Sequence, residues 1–117
     1  MRLAYAHEAV VVLAAGADSR APGGAVTVAL CGSLAHDPPC PLAAHHTAYD
    51  DGRLRVLFAT APDRAEEVRS LIDAALAAGS FTGPDGVTSR WELVRSGCIA
   101  VAPDDRDHAR RLLRPVS

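Results

Sequence analysis

Lysine, asparagine and glutamine are absent from this 117-residue chain, so all 12 basic residues are arginine. Alanine alone fills 23 positions. This pattern fits a bias toward GC-rich codons, so neither the Ala nor the Arg content is a functional signal. Aromatic residues are scarce, with one Trp, two Tyr and two Phe. That excludes the aromatic strands on which an RNA-binding sheet stacks its bases. A net charge of −2 and a pI near 6.2 exclude a domain that grips phosphates by positive charge. Nucleic acid is therefore not the expected partner. No long hydrophobic run exists either. The longest, Ala9 to Ala17, falls far short of the roughly 20 residues a membrane helix needs. The first eight residues, with Arg2, His7 and Glu8, do not read as a signal peptide. Cysteine is sparse and odd in number, at three, which argues for a reduced, cytoplasmic setting over a disulfide framework. Neither a P-loop nor a G-x-G-x-x-G occurs, and Gly23-Gly24 precedes an expected strand, not a helix.

What remains is ordinary globular composition, 49% apolar and 22% charged, at the length of a single domain over 1–117. Glu8 to Ala15 is apolar with a β-branched centre and predicts a strand buried on both faces. Val26 to Cys31 alternates and predicts a second strand. Residues 32–52 read as a long loop rich in Cys, His and Pro. Arg53 to Thr60 predicts a strand with Leu54, Val56 and Phe58 inward. Asp63 to Ala78 is the clearest helix, with Val68, Leu71, Ile72, Ala75 and Leu76 on one stripe. Asp63 is placed to cap it, Glu66 to complete a capping box, and Gly79 to stop it. Val87 to Arg95 and Cys98 to Ala102 predict a hairpin through Ser96-Gly97, with Trp91 in the core. Asp104 to Arg114 predicts a second helix with Ala109, Leu112 and Leu113 inward, His108 near that edge and an arginine-rich outer face.

At a shift of 41 residues, six of fifteen positions from 58 to 72 are identical, including both Ala-Pro-Asp triplets. A weak repeat of 53–78 with 94–114 is one reading. The other is that Pro and Asp suit any strand-to-helix junction. The implied fold class is α+β, a two-layer sandwich of about five antiparallel strands in β-ββα-ββα order. Both helices lie on one face, ferredoxin-like with a permuted element order.

One cluster stands out. Cys31, His36, Cys40 and His45 follow Cys-x4-His-x3-Cys-x4-His, with His46 as a spare. Two thiolates and two imidazoles make a tetrahedral set for zinc. Pro38, Pro39 and Pro41 stiffen the backbone around Cys40. Against this reading, zinc motifs generally hold a tighter ligand pair, and Cys31 would pack equally well as a buried thiol. A Cys31–Cys40 disulfide or redox pair is a further reading. Catalytic readings draw on the same residues: a Cys40 or Cys31 nucleophile with His36 or His45 and Asp37 or Asp50, or a zinc hydrolase using Cys31, Cys40, His45 and Asp37. None has a third group fixed by motif. The reading favoured is a non-enzymatic domain that binds a metal ion, most simply zinc, through this loop. The alternative is a metal-free module that binds a small molecule on its sheet or forms a homodimer. Its motive is an apolar second sheet face comprising Ala29, Cys31, Leu57 and Ala59.

Overall fold

The computed structural model describes residues 2–31 and 44–113, with Cys31 described by its backbone alone. Strand β1 (Leu3–Leu13) is followed by helix α1 (Ala21–Cys31), strands β2 (Ala44–Asp50) and β3 (Arg53–Thr60), and helix α2 (Ala65–Ala77). Then come the short strand β4 (Ser80–Thr82), the long strand β5 (Thr88–Ile99) and helix α3 (Arg106–Leu113). The five strands form one antiparallel sheet in the order β2-β3-β1-β5-β4. The α+β class with about five antiparallel strands stands. The β-ββα-ββα order does not, because a helix occupies the place of the second expected strand.

That helix is α1. Its sequence, APGGAVTVALC, has no polar face, so a 3.6-residue period cannot show against its background. Val26, Thr27 and Val28 then imitate an alternating strand. Tertiary burial decides otherwise. Ala21, Pro22, Ala25, Val26 and Leu30 are buried at helical spacing, against α2 and the sheet. Pro22 sits in the first turn, where its missing N–H has no intrahelical role. The first turn also lacks side chains at Gly23 and Gly24. A Cβ on Gly23 would lie 3.0 Å from Thr47 Oγ1, and one on Gly24 would lie 2.8 Å from a Phe81 ring carbon. Thr47 is on β2 and Phe81 on β4, the two edges of the sheet. The sheet therefore curls until both edges reach the same turn of α1.

The expected loop 32–52 is likewise part strand. Residues 44–50 pair with β3 along its whole length. Their composition, AHHTAYD, is too polar for an alternation signal, as suits an edge strand. The expected hairpin at Ser96-Gly97 is absent. β5 runs straight through, with a bulge at Val94 where its register against β1 slips. Its hairpin partner is β4, joined through Gly83–Gly86, where Gly83 N–H donates to Val87 O at 3.0 Å.

β3 and α2 follow the sequence pattern closely. Leu54, Val56 and Phe58 are buried inward, as are Val68, Ile72 and Leu76 of α2, while Leu71 is only partly buried. Gly79 ends α2 at φ +71°, and a Cβ there would stand 2.9 Å from Trp91 O. Trp91 is buried, and its indole N–H donates to Leu76 O at 2.9 Å, satisfying a carbonyl of the last helical turn. The expected caps are replaced. Pro62–Arg64 and Pro103–Asp105 each form a 3-10 turn with no side-chain cap, because each Pro starts the turn and leaves its Asp inside it. Arg64 pairs with Glu67 at 3.0 Å, and Glu66 closes no capping box.

The two helices expected on one face lie on opposite faces. Tyr5, His7, Ala9 and Val11 of β1 pair across with Phe58, Val56, Leu54 and Leu93 on the α1–α2 side. Ala6 pairs with Leu57 and Ala4 with Ala59, on the other side, where α3 packs with Ala109 buried. Leu57 and Ala59, counted toward an open apolar face, are thus covered, while Ala29 and Cys31 belong to α1. The uncovered part of the second face carries Val12, 58% exposed, among Glu92, Arg95 and Arg53. Cys98 is exposed.

Candidate functional site

The structure divides the Cys/His cluster. His36 and Cys40 lie outside the described residues. His45 and His46 are consecutive on β2, so they point to opposite faces of the sheet. His45 faces α1, where its Nε2 lies 3.0 Å from Thr27 Oγ1. The Thr27 hydroxyl donates to Gly23 O, so its oxygen accepts from His45 Nε2–H. Cys31 is the last residue of α1, one turn beyond Thr27. His46 faces α3, where its ring stacks on His108 with centroids 3.8 Å apart. His46 therefore cannot replace His45 at a shared centre. Among the described residues, no group of three or more His, Cys, Asp or Glu side chains is arranged to hold a metal.

A second cluster escaped sequence reasoning. His7 is buried on β1, between β5 and α2. Arg69 Nη1 donates to His7 Nδ1 at 2.9 Å and to Ala6 O at 3.1 Å. The ring proton therefore sits on Nε2, which faces Asp73 Oδ1 at 2.9 Å and Ser96 Oγ at 2.7 Å. Ser96 O–H donates to the same carboxylate oxygen. Ser, His and Asp side chains thus meet, but not as a catalytic triad. Activation of a serine needs the hydroxyl on one ring nitrogen as donor and the carboxylate on the other. Here both share Nε2, Nε2 is the donor, and Arg69 holds Nδ1. The network ties α2 to β1 and β5. Its only sequence signal is a lone His at an inward position of an apolar strand.

The third feature is a cleft of about 710 Å³. It opens where the two sheet edges meet the first turn of α1. Its walls are the Asp18–Arg20 loop, Gly23, Gly24 and Thr27 of α1, Thr47 and Tyr49 of β2, Phe81 of β4, the turn from Gly83 to Val87, and Ser89 of β5, with Leu54 of β3 also lining it. No family model, no curated protein and no solved structure matches this chain. The chemistry of the cleft must therefore be read from its own residues.

Ser89 is buried, and its Oγ accepts from Asp18 N–H at 3.0 Å, pinning the loop before α1 to β5. Asp18 takes Arg20 in a bidentate pair, at 3.1 Å from Nε and 2.9 Å from Nη2. The Arg20 side chain, and then its backbone N–H, hold the Asp18 carboxyl below its usual range. The Arg20 side chain is 89% exposed, so its charge stands at the mouth. Asp85 lies near Arg20, and its Oδ1 accepts from Val87 N–H at 3.1 Å. The cleft thus combines an apolar base and aromatic rings with hydroxyls and a slightly acidic rim. The volume lies within the roughly 300–1,000 Å³ usual for small-molecule sites. Sequence reasoning missed it because reading α1 as a strand removes the helix turn that forms one wall.

Proposed function

We propose that the chain is a non-enzymatic domain that binds a small molecule in the cleft between the first turn of α1 and the two sheet edges. The observation that carries this reading is the meeting of Thr47 and Phe81, from opposite edges, at Gly23 and Gly24. This closure creates a concave, mixed polar and apolar space from three stretches of the chain, 18–27, 47–54 and 81–89. Among the described residues its lining is Asp18, Asp85, Arg20, hydroxyl groups, glycines and apolar side chains, a set suited to holding a ligand by shape and a few polar contacts. Asp18 and Asp85 outnumber Arg20 at the rim, so the ligand favoured is uncharged or singly cationic, with an apolar body for Phe81 and Tyr49. We read the order β1-α1-β2-β3-α2-β5, with strands arranged 2-3-1-5, as a ferredoxin-like arrangement of two split β-α-β units without permutation.

The test is an amide NMR titration with phenethylammonium, phenylpropanoate and neutral aromatic fragments. Shifts concentrated at Thr27, Thr47, Tyr49, Phe81 and Ser89, with the ammonium or neutral probes binding tighter than the carboxylate, are expected. Shifts elsewhere, or none from any fragment, would overturn the reading.

A second reading retains the metal through a reduced set, Cys31, His36, Cys40 and His45, with His46 removed. The placement of His45 beside Thr27, one helical turn before Cys31, supports it. The protein purified without a His-tag should then carry close to stoichiometric zinc by mass spectrometry, and Cys40→Ser should lose it. Metal-free protein after growth with added zinc would end this reading.

A further inference from the structure

The sheet face away from the cleft is used by neither reading, and it is built as a step. α3 covers the half of it around Ala6 and Leu57. Asp105, just ahead of α3, pairs with Arg55 of β3 at 3.2 Å, and Arg2 Nη2 donates to Leu113 O at the far end of the helix. α3 therefore runs toward the start of β1 and leaves the other half of this face exposed. Strand register orders that half into levels. At one level Arg53 of β3 and Arg95 of β5 flank Val10 of β1. At the next, Glu92 of β5 stands beside Val12. On the other side of Val12, β3 has given way to the Asp51-Gly52 turn, where Val11 N–H donates to Gly52 O at 2.8 Å. Arg53, Arg95, Glu92 and Asp51 are all exposed. Val12, and Val94 in the bulge between the two levels, are each 58% exposed. A valine flanked by two arginines thus adjoins a valine flanked by two carboxylates.

We propose that this half-face docks a second copy of the chain, related by a two-fold axis that crosses the strands between the levels of Val10 and Val12. Such an axis sets each strand over its own copy in the opposite direction and exchanges the two levels. Val10 then meets the partner's Val12, Arg95 meets the partner's Glu92, and Arg53 meets the partner's Asp51. Each of these charges faces its opposite around an apolar centre. A two-fold axis along the strands would instead set Arg53 against the partner's Arg95 and Asp51 against the partner's Glu92. Charge therefore selects the first arrangement. Shape agrees with it. Face-packed sheets lie about 10 Å apart, and a helix layer is about 10–12 Å thick. The α3 of each copy then fits into the layer of the partner's sheet, beyond the end of its strands, and the two steps interlock. Because the sheet curls toward α1, this face is convex and the contact falls on β3, β1 and β5. The dimer therefore belongs to the small, transient class of interfaces, under about 1,200 Å² in all, and depends on its charges.

Sedimentation velocity on the full chain tests this, from about 10 μM to about 1 mM protein and in low and about 0.5 M salt. A dimer should grow with concentration and recede in the higher salt. Arg95→Glu and Glu92→Arg each set like charges against one another, and each alone should leave monomer throughout. Mixed in equal amounts, the two variants restore Arg against Glu at both contacts, so the dimer should return. A chain carrying both substitutions should dimerise for the same reason. Circular dichroism checks that each variant is folded, and Arg53→Glu supplies the reversal on β3 if a β5 variant is not. Monomer at every concentration would overturn the proposal. So would a dimer indifferent to the single reversals, or a mixture of the two that stays monomeric.

Discussion

Phe58→Ala is expected to destabilise the protein by about 3–5 kcal/mol, the range for removing a fully buried aromatic side chain. Phe58 is fully buried on β3, the second strand of a sheet whose inner face packs against α1 and α2. Its ring stacks on Tyr5 of β1, with centroids 5.4 Å apart and planes 22° from parallel. The Arg69 guanidinium lies 5.3 Å above the same ring. Removing it takes away apolar burial, an aromatic pair and a cation–π contact together. The backbone on both sides is fixed, since β3 is paired with β1 and β2, so the cavity cannot close by a strand shift. A urea unfolding curve should show a lower midpoint at unchanged slope. A cost under about 1 kcal/mol would mean that this site collapses, and that β3 is not the rigid centre of the fold.

The parts of the fold legible in the sequence are those where burial has a clean period. β3 alternates because one face meets α1 and α2, and α2 carries a stripe because its outer face is charged. α1 is illegible for the opposite reason: it is enclosed on most sides, so no polar position marks its period. β2 is hidden by polarity, and β5 by the bulge at Val94, which breaks the alternation halfway along. The expected metal set shows how one misread element spreads. Within a loop, His45 and His46 are interchangeable ligands. Within a strand they are committed to opposite faces. His45 then belongs with Thr27, and His46 with His108. The helices repeat the lesson. The two Ala-Pro-Asp segments have nearly the same backbone, with φ and ψ of −63° and 143° at Ala61, and −66° and 149° at Ala102. Local chemistry sets that junction. It does not set the face on which the helix packs, which depends on the partners Ala6, Leu57 and Ala59, remote in sequence.

The second large effect is expected at His7. His7→Leu keeps much of the volume but removes both ring nitrogens from the network with Arg69, Asp73 and Ser96. Arg69 then loses its acceptor at Nδ1 and retains Ala6 O, while Asp73 and Ser96 keep each other. The damage is therefore concentrated on the guanidinium, which is held part-buried over Tyr5 and Phe58. A cost of about 1–3 kcal/mol follows, the range for leaving a buried polar group short of a partner. Ser96→Ala alone should cost less, because His7 Nε2–H still reaches Asp73, whose side chain is 49% exposed and open to water. The two substitutions together should cost less than their sum, since Ser96 and His7 share one carboxylate. A double-mutant cycle measures this directly by denaturant unfolding. Strict additivity would show that His7 acts through packing alone. A substoichiometric loss of helix signal, with α2 unpeeled at neutral pH, would locate the effect in the α2 contact with β1 and β5. That localisation matters for the whole molecule. Arg69 and Asp73 are one turn apart on α2, and His7 is where the sheet grips both. Strand β5 supplies Ser96 to this network and Ser89 to the cleft wall, so the network anchors a strand that the cleft also uses.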